Sequence, residues 1–453
     1  MSFLGDDYLL ETETARTLYE GIADLPIVDP HSHADVVEIV EDDGWSDVWE
    51  VEGATDHYVW ALMRNRGVPE ERITGDATNR EKWEALAEVF PSFAGNPTYE
   101  WVHLDLKRRF GIDRTISSET ADEIWEETAA QLEDDSMRPQ ALLREMDVEV
   151  VCSTDDPTSS LENHERAEEE ISGVDVLPTW RADRVLQVED DDWGGFVDEL
   201  ATATDVGTGD LEGFLDALRA SHDHFAEHGC VASDVGIRMP VSRPVDDARA
   251  AACYEAALAG SIEGEEAADL QAYLLECIGE LNAEKGWTTQ FHLGPVRDYR
   301  EEVHEALGPA SGGDVSTQDL DIEGSLKHFL NRFDGEFEVV LYCLDPTHYP
   351  TVATLARVFP NVNVGPAWWF NDSPVGIEEQ LEYVGTVELL SNSPGMVSDS
   401  RKLLSYGSRF EMFRRSLANV VGRQVERGRM PRDVARDLVR TVAYDRPREL
   451  YGF

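Results

Sequence analysis

Two histidines with one residue between them, His31 and His33, closely follow the apolar run 25–29. In an extended strand, residues two apart point to the same side, so these two imidazoles can reach one metal ion. His222 and His224 have the same spacing, but they stand in a stretch with a helical pattern. Two residues on a helix are about 200° apart, so those side chains point in opposite directions. The pattern therefore predicts metal binding for His31 and His33 and not for His222 and His224.

Two further apolar runs end in polar residues of the kind that enzymes use. His292 stands near the end of the run 288–293, and Asp399 and Arg401 follow the run 387–396. Two imidazoles and a carboxylate are a common ligand set for a divalent catalytic ion, with one position left open for substrate. A metal-dependent enzyme is therefore the first hypothesis that the residues support.

These residues need elements that bring the run ends together. Short apolar runs rich in β-branched residues recur along the chain, and most are separated by stretches of helical periodicity. The eight runs are 25–29, 148–154, 176–181, 230–238, 288–293, 337–344, 361–369 and 387–396. Eight strands that alternate with helices predict an α/β fold of the (β/α)8 TIM-type barrel class, with catalytic groups at the carboxyl ends of the strands. A doubly wound open sheet is the alternative.

The long interval between the first two runs predicts a helical insertion after the first barrel strand. It contains helical patterns at 56–68, 81–90 and 121–132. We expect an N-terminal segment with the first barrel strand (1–34), a mainly helical inserted subdomain (35–146), the remainder of the barrel (147–410) and C-terminal helices packed on the barrel (411–453).

The charge of the chain limits its partners. There are 92 Asp and Glu against 38 Lys and Arg, which gives a formal net charge of -54. Nucleic acids and anionic membranes attract Lys and Arg, so we expect neither as a partner. The acidic residues are spread along the chain, which indicates a solvated acidic surface suited to a salty, halophile-like cytoplasm.

The cellular setting follows from what the sequence lacks. Its five cysteines are far apart and contain no C-x-x-C pair, which predicts reduced thiols. We find no signal-peptide pattern at the N-terminus and no apolar run of 18 residues, so we expect a cytoplasmic protein. We also expect a homo-oligomer.

The motifs carry a resemblance to a known family. "DPHSH" at 29–33, the histidine of the fifth run and the aspartate after the eighth resemble the amidohydrolase superfamily of metal-dependent barrels. Within it, the sequence is similar to the uronate isomerase (glucuronate isomerase) family. The local matches are "DHYVWALMRNRGV" at 56–68, "TWRAD" at 179–183, "WWFND" at 368–372 and, most specific, "GMVSDSRKLLSYGSRFEMFRR" at 395–415.

The resemblance implies a role for each matching residue. It makes His31, His33 and Asp399 the ligands of one divalent metal ion, with Asp399 also the proton-transfer base. Imidazole with carboxylate suits zinc first and manganese second. The residues implied to hold the sugar acid are Tyr58, Arg181, His292, Trp369 and Arg401. Of these, Tyr58 and Arg401 are also implied to be catalytic.

Several of these assignments have a structural alternative. Arg181 and Arg401 could neutralise nearby carboxylates, and Tyr58 and Trp369 could pack in the core. One departure also matters, because we associate the family with a histidine in the fourth run, where this chain has Val235.

The resemblance implies aldose–ketose isomerisation of hexuronates through a cis-enediol. D-Glucuronate to D-fructuronate is the first reaction, with D-galacturonate to D-tagaturonate as a second. A hydrolase or deaminase that uses metal-activated water would need the same two histidines and aspartate, so it remains the alternative. A sugar-acid binding protein without turnover would leave the metal cluster unexplained.

Overall fold

The computed structural model describes residues 2–453, and buried parallel strands form its centre. The strands are short, and five of the eight parallel ones have every residue buried, as expected where both faces are covered. The strands are β1 (Ile27–Asp29), β2 (Val148–Cys152), β3 (Asp175–Leu177), β4 (Trp180–Arg181), β5 (Ala232–Val235), β6 (Thr288–Leu293), β7 (Pro295–Val296), β8 (Val315–Ser316), β9 (Val339–Cys343) and β10 (Val362–Val364).

The strands form one parallel series. One sheet has the order β1-β2-β3 and the other the order β4-β5-β6-β9-β10, and every pair in both is parallel. β3 and β4 come from a single predicted run that is interrupted at Pro178, which has no N–H for the ladder. A parallel bridge between Asp155 and Trp180 continues the pairing from β2 to β4. The series therefore follows the chain order predicted for barrel strands one to seven. β7 and β8 form a separate antiparallel pair.

The predicted eighth strand, 387–396, is wrong. These residues form a helix end, the 3-10 turn Leu390–Asn392 and an irregular segment that contains Pro394 and Gly395. Proline and a glycine at φ 84° both oppose a regular ladder. The residues just beyond this segment bond to the end of β1 instead. The Ser398 N–H donates to the Asp29 carboxylate (2.9 Å), and the His33 N–H donates to the Ser400 carbonyl (3.1 Å). An irregular segment therefore occupies the eighth position.

Helices connect and cover the strands. They are α1 (Glu13–Glu20), α2 (Val36–Glu41), α3 (Val48–Glu52), α4 (His57–Asn65), α5 (Asn79–Val89), α6 (Pro97–Phe110), α7 (Ala121–Leu132), α8 (Pro139–Glu145), α9 (Glu162–Glu170), α10 (Asp183–Leu186), α11 (Trp193–Thr204), α12 (Leu211–Glu227), α13 (Asp247–Leu258), α14 (Glu265–Lys285), α15 (Glu301–Leu307), α16 (Ile322–Arg332), α17 (Tyr349–Val358), α18 (Pro374–Val387), α19 (Ser405–Glu426), α20 (Arg432–Arg440) and α21 (Arg446–Tyr451).

The helices α2 to α8 lie between β1 and β2, in the interval where the sequence predicts an insertion. Their buried residues, such as Trp83 and Leu86, belong to the same hydrophobic cluster as Ile27 of β1 and Phe413 of α19. The inserted helices therefore share a core with the strands beside them. Their treatment as a distinct subdomain stays a prediction.

The C-terminal helices pack on this body and use their arginines to do so. On α19, Arg423 Nη1 lies 2.8 Å from Glu378, and Arg446 of α21 lies 3.0 Å from Glu338. Basic residues of the last helices thus meet part of the acidic excess. Across residues 2–453, no helix combines the length and apolar character needed to cross a membrane.

Candidate active site

Most of the predicted site residues line one cavity at the carboxyl ends of the parallel strands. The lining residues are His31, His33, His57, Arg181, His292, Arg297, Ala310, Asp314, Trp368, Trp369, Asp399 and Arg401. Of the predicted residues, only Tyr58 is absent from this lining, and it directly follows His57, which belongs to it. His57, Arg297 and Asp314 were missed by the sequence patterns. His57 belongs to the motif quoted for Tyr58, whereas Arg297 lies beyond the end of its run, where no pattern marks it.

The two histidines of the first run converge on one carboxylate oxygen. His31 and His33 lie just after β1, and each Nε2 is 3.3 Å from Asp399 Oδ1. Two donor atoms about 2.1 Å from one ion at a tetrahedral angle lie roughly 3.4 Å apart. The separations observed here therefore fit three ligands of a single ion. His222 and His224 instead lie on α12, as their pattern predicts, and their Nε2 atoms bond to Asn282 and to the Ser160 carbonyl.

The three side chains also depend on one another electrostatically. Burial opposes ionisation of Asp399, but hydrogen bonds to His31 and His33 outweigh it and hold the pKa of this carboxyl well below its usual range. Burial likewise opposes protonation of His31, and Asp399 and Asp234 outweigh it and raise the pKa of that imidazole. For His33, burial dominates and lowers the pKa to about 4. Asp399 is therefore an anion at neutral pH, and His33 is neutral.

A second group of possible ligands stands behind the first. His31, Asp234 and His292 also come close enough together to hold an ion. However, His292 Nδ1 already lies 2.7 Å from Asp234 Oδ1, and Arg181 Nη1 is 3.4 Å from Asp234 Oδ2. Burial would raise the pKa of Asp234, but the charges of His292 and Arg181 lower it far more. A guanidinium at this distance favours the interpretation that Asp234 holds Arg181 and His292 in place and does not bind an ion.

Asp234 also explains the departure at Val235. Neighbouring residues of a strand point to opposite sides. Val235 is fully buried in the hydrophobic cluster that includes Trp180 and Phe291, whereas Asp234 bonds to His292 beside the cavity. The side chain that β5 presents to the site is therefore Asp234, and position 235 faces away from it.

The arginines of the cavity differ in how their charge is balanced. Arg181 Nε is 2.9 Å from Asp183, so this side chain faces two carboxylates. Within residues 2–453, no carboxylate lies within 4 Å of the guanidinium of Arg401 or Arg297. Arg401 donates to the Ala310 carbonyl (3.3 Å), and Arg297 lies 5.5 Å from the centre of the Trp369 ring. Arg401 and Arg297 are thus positioned to bind an anion.

Tyr58 lies outside the lining of the cavity and packs against other buried side chains. Its ring meets Trp101 edge-on at 5.4 Å, and Arg409 lies 5.4 Å from its centre. Its hydroxyl is buried and has no hydrogen-bond partner in the described part of the chain. Burial, with the charge of Asp399 in addition, raises the pKa of this phenol well above its usual value. The hydroxyl therefore keeps its proton, and its predicted catalytic role stays a prediction.

Two cavity residues adopt a left-handed backbone, which is uncommon for a tryptophan and more usual for an aspartate. Trp369 has φ 54° and Asp399 has φ 47°. Positive φ values cost energy for residues other than glycine, and they concentrate at functional sites. Trp369, one of the predicted substrate-binding residues, is held in this conformation with its side chain mostly buried.

A buried cluster of one lysine and three carboxyl groups supports the segments that carry these residues. Lys402 Nζ lies 2.9 Å from Glu52, 3.3 Å from Asp56 and 3.6 Å from Asp105, and all four side chains are almost completely buried. Lys402 follows Arg401 in the chain, and Asp56 caps α4, the helix that begins at His57. The cluster therefore ties the Asp399 segment to the start of α4.

Comparisons with known proteins agree over the full chain. Residues 1–451 match the glucuronate isomerase family. A uronate isomerase of Thermotoga sp. (strain RQ2) is 55% identical over 450 residues, which covers 99% of both chains. The solved structure of a uronate isomerase from Thermotoga maritima superimposes with a TM-score of 0.98 at 55% identity and covers 100% of both chains. A glucuronate isomerase structure from Caulobacter crescentus gives 0.96 at 27% identity, covering 99% of this chain and 97% of that one.

The parallel strand series and the cavity at its carboxyl ends define an enzyme fold of the TIM-barrel class in which an irregular segment takes the eighth position. Within that class, the match over the whole chain is specific. This chain belongs to the glucuronate isomerase family.

Proposed function

We propose that this protein catalyses aldose–ketose isomerisation of hexuronates, with D-glucuronate to D-fructuronate as the first reaction and D-galacturonate to D-tagaturonate as the second. The observation that carries the proposal is one cavity in which an ionised carboxylate, Asp399, lies with two arginines, Arg401 and Arg297, that have no acidic partner among residues 2–453. A base beside positive groups suits proton abstraction from a sugar acid. Full-length relatives named uronate isomerase support the same reaction.

Asp399 is the group best placed to move the proton. Isomerisation takes one proton from C2, passes through a cis-enediol and delivers one proton to C1. Asp399 Oδ1 faces the two histidines, and Oδ2 accepts no hydrogen bond from residues 2–453. We assign the transfer to Oδ2. A carboxylate of low pKa is a weak base, so the negative charge that develops on the sugar must be stabilised, and Arg401 supplies a positive charge in the same cavity.

The remaining lining residues hold the substrate in this proposal. A planar guanidinium binds a carboxylate through two parallel hydrogen bonds, so Arg401 or Arg297 takes the sugar carboxylate. His292 has its Nδ1 on Asp234, and its buried Nε2 has no partner in the described chain. That nitrogen is available to a sugar hydroxyl. Trp369 forms an apolar wall, and Arg181 acts mainly by holding Asp234.

The donor set of His31, His33 and Asp399 fits one divalent ion, because its separations match those of tetrahedral ligands. These residues would hold the ion, which would supply positive charge for the sugar oxygens. Two imidazoles and a carboxylate suit zinc first and manganese second. The same set would also serve a hydrolase or deaminase, but the full-length relatives at 55% identity give that alternative less support.

The decisive assay incubates the purified protein with D-glucuronate and with D-galacturonate and measures ketose formation. In D₂O, we expect some deuterium at C1 of the ketose, because a proton held on Asp399 can exchange before it is returned. Asp399→Asn should lower kcat by at least about 100-fold, the lower end for loss of a general base. Absence of turnover on both sugars, together with activity on amides or aminopurines, would replace the isomerase with the hydrolase.

The setting of the enzyme is part of the proposal. We infer a cytoplasm of high ionic strength, which the net charge of -54 supports. We also keep the homo-oligomer as a proposal. Neither nucleic acid nor a membrane surface is a suitable partner for such an acidic chain.

A further inference from the structure

We propose that Thr154 is a positioning residue for the metal site: its hydroxyl fixes the ring of His33 so that Nε2, and not Nδ1, is free to bind the ion. This inference rests on the metal site proposed above. It concerns a residue outside the predicted ligand set and outside the lining of the cavity.

The hydrogen-bonding groups around Thr154 allow two directions for its proton, and our proposal takes the one in which Thr154 donates to Ser32. Thr154 Oγ1 lies 2.8 Å from His33 Nδ1 and 3.4 Å from the carbonyl oxygen of Ser32. A hydroxyl has one hydrogen to donate, and a carbonyl oxygen can only accept. If Thr154 donates to Ser32, it must accept from His33, so the imidazole hydrogen is on Nδ1.

The position of the hydrogen on the His33 ring determines which ring nitrogen can bind the metal ion. A neutral imidazole carries one hydrogen, so a hydrogen on Nδ1 leaves the lone pair on Nε2. Nε2 of His33 is the atom that lies 3.3 Å from Asp399 Oδ1. Metal-binding histidines commonly donate the other ring N–H to an oxygen, which fixes the ring orientation. Thr154 provides that oxygen for His33.

His33 needs this support more than His31 does. The His31 side chain is 2% exposed, and its ring packs 4.3 Å from the His292 ring. The His33 side chain is 31% exposed, and in the described chain its one aromatic contact is with His31 at 5.4 Å. The Thr154 hydroxyl therefore supports a ring that is more exposed and has fewer aromatic contacts than the His31 ring.

The backbone holds Thr154 firmly enough for this role. The residues on either side are tied to the neighbouring strand positions: Ser153 N–H donates to the Leu177 carbonyl and Asp155 N–H to the Thr179 carbonyl, each at 3.0 Å. The hydroxyl is thus carried by an extension of β2 and not by a loose loop.

The opposite arrangement makes a different prediction. If Thr154 donated to Nδ1, the hydrogen would be on Nε2 and would point toward Asp399. That ring could not bind an ion through Nε2, and removal of the hydroxyl would then leave metal binding unchanged or tighter. The sign of the change in affinity therefore distinguishes the two arrangements.

The test measures the dissociation constant of the full-length protein for Zn²⁺ and Mn²⁺ by competition with a chelator. Thr154→Val keeps the shape and removes the hydroxyl, and we expect a loss of affinity of about 10-fold to 100-fold. Thr154→Ser keeps the hydroxyl and should stay within about threefold of the parent. Thr158→Val is a matched control, because the Thr158 hydroxyl bonds to Asp156 instead. If the valine variant does not fold, Thr154→Ala provides the same deletion.

The outcomes separate this inference from the site on which it rests. A parent protein that binds neither ion would overturn the proposed metal site itself. Tight binding by the parent and equal binding by Thr154→Val would leave the site intact and refute the role of Thr154. Equal losses in the valine and serine variants would assign the effect to packing and refute it as well.

Discussion

Replacing Glu52 with glutamine should make the protein less sensitive to alkaline pH. Glu52 is fully buried beside Lys402, together with Asp56 and Asp105. Burial raises the pKa of Glu52 from 4.5 to about 8, because the charge of Lys402 is shared with the other two carboxylates and offsets only part of the desolvation. At pH 7 this carboxyl is therefore mostly neutral, and above pH 8 it must ionise inside the protein.

The magnitude follows from the two pKa values. The stabilisation from the neutral carboxyl is fully present below pH 4.5, the pKa in the unfolded chain, and is lost as the pH rises through about 8. Between pH 7 and pH 9, the free energy of unfolding should fall by about 1.4 kcal/mol on this account. With an unfolding entropy of about 2.1 cal/mol/K per residue, that corresponds to roughly 1.5 °C in Tm.

Glutamine has nearly the same shape, keeps an oxygen for Lys402 and cannot ionise. The Tm of the parent should fall between pH 7 and pH 9 by roughly 1.5 °C more than that of Glu52→Gln. The exposed residue Glu20 provides the control, since Glu20→Gln should follow the parent. Differential scanning fluorimetry at constant salt measures all three proteins. Parallel pH curves for the parent and Glu52→Gln would refute a neutral Glu52.

Three further outcomes follow from the site and the charge. Purified protein should contain about one equivalent of divalent metal by elemental analysis. The double variant His31→Ala with His33→Ala should lose the metal, and His222→Ala should keep it. Loss of metal from His222→Ala would mean that the wrong pair of histidines was chosen. If Arg401 takes the sugar carboxylate, Arg401→Lys should reduce kcat/KM on a uronate by roughly tenfold or more and much less on the neutral aldose, because lysine lacks the planar fork. Equal losses on both sugars would leave the carboxylate to Arg297. Arg181→Lys should affect both sugars alike, and a loss confined to the uronate would make Arg181 the carboxylate binder. Tm should rise steeply from about 0.1 M to molar KCl as the Debye length falls from roughly 10 Å to 3 Å; a flat response would contradict the salty-cytoplasm proposal.

Spacing alone predicted one pair of site residues, whereas Arg181, His292, Asp399 and Arg401 were reached through the strand ends and the family resemblance. His31 and His33 are two residues apart after a clear apolar run, so local geometry alone brings them together. Asp234 was missed because both faces of β5 are buried, and a run without alternation does not indicate which side chain faces the site. Arg297 was missed because it stands beyond its strand, where its position depends on the conformation of a loop.

Long-range packing was also beyond the reach of sequence patterns. Lys402, Glu52, Asp56 and Asp105 come from three separate segments, and no local pattern relates them. The eighth run was misread for a different reason. The end of α18 and the 3-10 turn after it place apolar residues in succession, and a short apolar run of this kind looks the same as a buried strand.

The irregular eighth segment has a consequence for how such an enzyme can be altered. Inserting a residue into a paired strand shifts its register and turns its side chains to the other face. The segment 388–396 has no ladder to shift, and Leu389 within it is 64% exposed. The position of Asp399 is instead fixed by its two neighbours in the chain. Ser398 bonds to Asp29 at the end of β1, and Ser400 bonds to His33 just after it. A change in the length of this connection therefore shifts no strand register, and the bonds of Ser398 and Ser400 still hold Asp399.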